Sequence, residues 1–74
     1  MIEYEEFCKN FIKNQSEANG GITRLGVKIG IDPSNLSKVI AGTYIPSPKT
    51  MMKWFPGLTI NTYNFVNVDY GKWQ

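Results

Sequence analysis

The sequence predicts a mostly all-α fold: a compact bundle of four to five short helices, with a C-terminal segment that reads either as a short strand or as a fifth helix. Three observations predict it. Apolar residues recur at spacings of three and four in four separate runs, the period of an amphipathic helix. Each run is bounded by residues that start or stop helices, among them Asn19-Gly20-Gly21, Gly30, Asp32-Pro33, Gly42, Ser47-Pro48 and Pro56-Gly57. The chain of 74 residues makes one small domain, which at this size buries only about 60% of its unfolded surface.

The first helix is expected over residues 3–14, where Tyr4, Phe7, Cys8, Phe11 and Ile12 form one apolar stripe. The stretch "NQSEANGG", residues 14–21, collects turn formers and is expected to break it. Ile22, Leu25 and Ile29 then mark a second helix of about two turns, with Gly30 placed to close it in a left-handed conformation. Asp32 is a side-chain acceptor for the next helix's first free amides, and Pro33 suits the first helical position, where its missing N–H costs nothing. The third helix therefore runs from 33 to about 41, turns Leu36, Val39 and Ile40 inward, and ends at Gly42. Ser47 and Pro48 repeat the same start for a fourth helix carrying Met51, Met52 and Phe55, which Pro56-Gly57 halts.

The tail "LTINTYNFVNVDYGKWQ" is ambiguous. Val66, Val68 and Tyr70 alternate with Asn67 and Asp69 as in a strand, whereas 59–65 also fits a short fifth helix. A lone strand is unstable, so an extended tail must pair with something, and its copy in a second subunit is an economical choice. The chain thus divides into a helical domain over 1–57 and a tail over 58–74 that is expected to make a dimer through Tyr63, Phe65, Val66, Val68 and Tyr70.

Composition narrows the function. Hydrophobic residues make up 42% of the chain and aromatics 14%, enough for a packed core and against disorder. Cys8 is the only cysteine and there is no histidine, so neither an internal disulfide nor a Cys/His zinc site can form, and a reducing, cytoplasmic setting is expected. The start of the chain is acidic and has no basic region leading into an apolar stretch; no apolar run approaches the roughly 20 residues that span a bilayer. No metal, membrane or cofactor is expected. The net charge is only +2, but it is unevenly distributed: residues 22–56 carry Arg24, Lys28, Lys38, Lys49 and Lys53 against the single acid Asp32. That excess suits an anionic partner such as a phosphate backbone.

From the second helix into the third, Leu25, Ile29, Ile31, Leu36 and Val39 are apolar, Gly26 is minimal in size and Gly30 stands at the turn. Two helices crossing steeply need each of these: a tiny residue at closest approach, a positive-φ residue in the turn, and apolar plugs on either side. Residues 22–56 resemble the helix-turn-helix core of the phage Cro and repressor (XRE-like) family of DNA-binding domains, and "IPSPKTMMKWF" is similar to that family's stretch after the third helix. The resemblance implies a dimer on double-stranded operator DNA with the third helix in the major groove.

Carried onto this chain, the resemblance implies base reading by Pro33, Ser34, Asn35, Ser37 and Lys38. Lys38 can donate to guanine, the serines discriminate only weakly, Pro33 can offer no more than ring contact with a thymine methyl, and Asn35 suits either adenine or a phosphate. Contacts to the DNA backbone fall to Thr23, Arg24 and Lys28 of the second helix and to Thr43, Tyr44 and Lys49 beyond the third, with Lys28 and Lys53 also feeding the wider field. Trp54 and Trp73 are expected to serve as packing residues, and Cys8 as a buried small hydrophobe.

Enzymatic readings find no support. There is no histidine base, no nucleophile elbow, no paired carboxylates beyond Glu5-Glu6, and "GGITRLGVKIG" lacks the Gly-Lys-Ser/Thr ending of a phosphate-binding loop. Two functions remain: a sequence-selective transcriptional repressor of a phage or mobile element, or a helix-turn-helix fold used for protein recognition, such as an antirepressor or a phage-encoded inhibitor of a host protein.

Overall fold

The computed structural model describes residues 2–61 and 65–66. Its elements follow in the order β1 (Ile2–Glu3), α1 (Tyr4–Ala18), α2 (Ile22–Ile29), α3 (Pro33–Ala41), α4 (Pro48–Trp54) and β2 (Phe65–Val66). The class is all-α, as the spacing predicts. α2, α3 and α4 begin and end at the residues that punctuate the sequence: Gly30 and Gly42 close their helices at φ 74° and 83°, in the left-handed region that favours glycine.

α1 runs about a turn further than its apolar stripe suggests, through the polar stretch that was expected to break it. Local hydrogen bonds explain the extension. The Ser16 hydroxyl donates to the Lys13 carbonyl at 2.8 Å, which lets a hydroxyl lie buried inside a helix, and the Asn19 side-chain amide donates to the Gln15 carbonyl at 2.7 Å. The Gly21 N–H then closes the end on Ser16 at 2.7 Å.

α1 is the spine on which α2 and α3 pack. It gives Tyr4, Cys8 and Ile12 to a core completed by Leu25, Leu36, Val39, Met51 and Phe55. Each fully buried aliphatic side chain of this kind contributes about 1.5–3 kcal/mol of transfer free energy. Phe11 and Phe55 meet edge to face with centroids 4.9 Å apart, joining α1 to the end of α4. The Tyr4 hydroxyl, buried with its ring, donates to the Pro46 carbonyl at 2.7 Å and so ties the start of α1 to the segment between α3 and α4.

Residues 65–66 are extended, not helical, and their partner lies in the same chain. β2 pairs in parallel with β1, Ile2 opposite Phe65 and Glu3 opposite Val66. Phe65 is half-buried against the rings of Tyr4 and Phe7, at centroid distances of 5.7 and 5.0 Å. Tyr63, Val68, Tyr70 and Trp73 lie outside the described residues. Among the described residues no helix is long and apolar enough to cross a membrane, and no group of acidic, histidine or cysteine side chains is placed to hold a metal ion.

Candidate nucleic-acid interface

α2 and α3 are locked together by backbone. The Gly26 carbonyl accepts from Gly30 and, at 2.9 Å, from the Ile31 N–H, which folds residues 30–32 tightly across the end of α2. A Cβ on Gly26 would meet the Ile31 carbonyl oxygen at 2.6 Å and the Pro33 ring at 3.0 Å, so the helices approach as closely as they do only because position 26 has no side chain. Pro33 is half-buried there, its ring leaning on α2. The proline is thus part of the turn's packing as well as the opening residue of α3.

Asp32 caps α3 by accepting the Ser34 N–H at 2.9 Å. Hydrogen bonds from the Ser34 backbone and side chain, followed by the Lys38 charge, hold its carboxyl below the usual carboxylate range. With Leu36 and Val39 turned into the core, Ser34, Asn35, Ser37 and Lys38 remain exposed. At about 100° per residue they follow one another round the helix in the order Ser37, Ser34, Lys38, Asn35, as one continuous rim.

The segment after α3 is gathered onto one acceptor. The Lys38 carbonyl accepts from the Thr43 N–H at 2.9 Å, the Thr43 hydroxyl at 3.2 Å and the Tyr44 N–H at 3.3 Å. Asn35, Lys38, Thr43, Tyr44 and Trp54 consequently line one open groove of about 410 Å³. Tyr44 and Trp54 stand with ring centroids 6.4 Å apart at 43°. Trp54 packs against the core, as expected, and also lines this groove, a place that no spacing rule in the sequence shows because it depends on α4 lying beside Lys38.

The remaining residues expected at a nucleic-acid backbone are spread over α2 and α4. Thr23, Arg24, Lys28 and Lys49 are exposed. Arg24 lies over Gly20, and the Lys28 ammonium donates to the Asn19 side chain at 3.1 Å at the end of α1. None of Arg24, Lys28, Lys38, Lys49 and Lys53 forms an ion pair with a carboxylate among the described residues. A second, more apolar groove of about 420 Å³ runs between α1, α2 and the end of α4, lined by Phe11, Leu25, Ile29, Trp54, Phe55 and Leu58 with Gln15 and Lys28 at its polar edge.

No protein-family model, no curated protein and no solved structure matches the chain significantly.

Proposed function

We propose that the protein binds double-stranded DNA selectively as a dimer and represses transcription by occupying an operator of a phage or mobile element, with α3 in the major groove and the start of α2 and the segment after α3 against the sugar-phosphate strands. The observation that supports this reading is the combination on α3 of one buried edge, Leu36 and Val39, and an exposed polar rim that includes Lys38, in a chain whose Arg24, Lys28, Lys38, Lys49 and Lys53 form no ion pair among the described residues. Cations left unpaired on a fold surface raise the local potential that draws in a polyanion. The expected test is selection of bound duplexes from a random pool: the enriched sequences carry two-fold symmetry, with half-sites about one helical turn apart. If no duplex is held better than bulk DNA even at low salt, the reading fails.

A protein-recognition role is the second reading, favoured by Val27, which is 79% exposed on α2, and by the thin hydrogen-bonding repertoire of Ser34, Ser37 and Pro33. Salt separates the two. Binding through several phosphates weakens steeply as salt rises, while an apolar protein interface responds little.

A further inference from the structure

We infer that the apolar groove between α1, α2 and the end of α4 is filled by the chain's own residues 67–73, with the Trp73 indole as the plug. The inference concerns the folded chain itself and stands apart from the DNA-binding reading.

The groove has the character of an unfinished core. Phe11, Ile29, Trp54 and Leu58 pack against the core yet keep part of their surface open among the described residues, and the buried Leu25 and Phe55 complete the lining. Its volume of about 420 Å³ suits one large side chain, and a large aromatic brings more apolar contact than any other residue type.

A path leads there from β2. The rings of Phe65, Phe7, Phe11 and Phe55 succeed one another at centroid distances of 5.0, 5.6 and 4.9 Å, three short steps from the strand to the wall of the groove. β2 runs parallel to β1, the strand that opens into α1, so the chain leaves Val66 toward α1. Extended chain advances about 3.3 Å per residue, so the stretch from Phe65 to Trp73 can span about 26 Å, which covers those steps with slack for a bend at Gly71.

The sequence of the segment fits the same occupant. Phe65 faces α1, and in an extended chain every second residue shares a side. At that period Asn67, Asp69, Gly71 and Trp73 follow Phe65, and Trp73 is the one large apolar side chain among them. Asp69, the single acid among residues 58–74, is the complement of the Lys28 ammonium at the groove's polar edge. An exposed pair of this kind adds orientation more than energy. The same chain supplies the plug because Phe65 is already held against Tyr4 and Phe7, which gives the following residues a high effective concentration at the groove; a second copy must first be captured from solution. Leu25 and Ile29 belong to α2 and Leu58 follows α4, so the seated indole joins these two elements.

The test is nuclear Overhauser spectroscopy on the full chain with labelled methyl groups. Contacts are expected between the Trp73 indole protons and the methyls of Leu25, Ile29 and Leu58, and they persist on dilution. Trp73→Ala is expected to shift those methyl resonances, to leave the methyls of Leu36 and Val39 in place, and to lower the melting temperature by at least about 4 °C. Trp73→Phe, which keeps a ring, is expected to recover most of that loss. Contacts that appear only between differently labelled copies in a mixed sample would give the groove to a second subunit and overturn the inference. The absence of any Trp73 contact with the three methyls would leave the groove to a different protein and overturn it as well. So would a Trp73→Ala chain that melts with the parent.

Discussion

Gly26 and Ile31 meet backbone to backbone: the Ile31 N–H donates to the Gly26 carbonyl at 2.9 Å, and a Cβ on Gly26 would lie 2.6 Å from the Ile31 carbonyl oxygen. Two effects oppose each other at this position. Alanine favours a helix over glycine by about 1 kcal/mol, but overpacking a close contact costs about 1–3 kcal/mol, and here the obstructing atom is backbone, which cannot rotate away. The clash wins. Gly26→Ala is expected to lose stability on the order of 1 kcal/mol, read as a melting temperature lower by about 4–8 °C. A melting temperature equal to or above that of the parent would show that the turn relaxes freely.

Tyr4→Phe is the smallest change that unties α1 from the segment leading into α4. It leaves the buried Pro46 carbonyl without the hydroxyl that sits 2.7 Å away, at a cost of about 1–3 kcal/mol. Because residues 43–47 also carry Tyr44, the variant is expected to show faster amide exchange in that segment than in α2. Uniform exchange across both would place the strain elsewhere.

The legibility of the fold follows the range of the interactions involved. α2, α3 and α4 end where glycine, proline or a short polar cap acts on its immediate neighbours, and such signals are visible in the sequence. The last turn of α1 depends on Ser16 and Asn19 bonding back to Lys13 and Gln15, which composition alone reads as turn-forming. The pairing of residues 65–66 with residues 2–3 is invisible to any local pattern, since its two halves sit at opposite ends of the described chain. In the candidate site, the exposed rim of α3 was legible from helical spacing, while the groove was not: it depends on Thr43 and Tyr44 bonding back to the Lys38 carbonyl and on Trp54 of α4 lying alongside.

Burial governs the chemistry of Cys8. Desolvation pushes its thiol from 9.0 up to about 11, a hydrogen bond with Tyr4 pulling the other way and the Glu5 charge adding to the rise. The folded chain is expected to resist thiol-directed reagents at neutral pH and to react fully once unfolded. A folded pKa raised above the unfolded value means that the native state retains its proton longer, so this contribution to stability is complete below pH 9.0 and falls away between 9.0 and about 11. Cys8→Ala is expected to flatten stability across that window; unchanged pH dependence in the variant would assign the loss to another group.

Asp32 has the opposite sign. Its carboxyl is held below the usual range by the Ser34 hydrogen bonds, so the stability it supplies is present above the unfolded value near 3.8 and is lost as pH falls through the folded value. Asp32→Asn is expected to keep the cap and remove that acid dependence, and Asp32→Ala to lose both, seen as a lower melting temperature at neutral pH for alanine but little change for asparagine. Equal melting of the two variants would mean that the cap contributes nothing.

The parallel pairing of Ile2 with Phe65 closes nearly the longest loop the described chain contains, and loop closure is an entropic cost that must be met before the contact returns anything. The helices condense from near neighbours in sequence; the pairing of the two ends has to wait. During synthesis, Tyr4 and Phe7 therefore emerge and enter the bundle without the ring that covers them, and that side of α1 stays sticky until residue 65 clears the ribosomal tunnel.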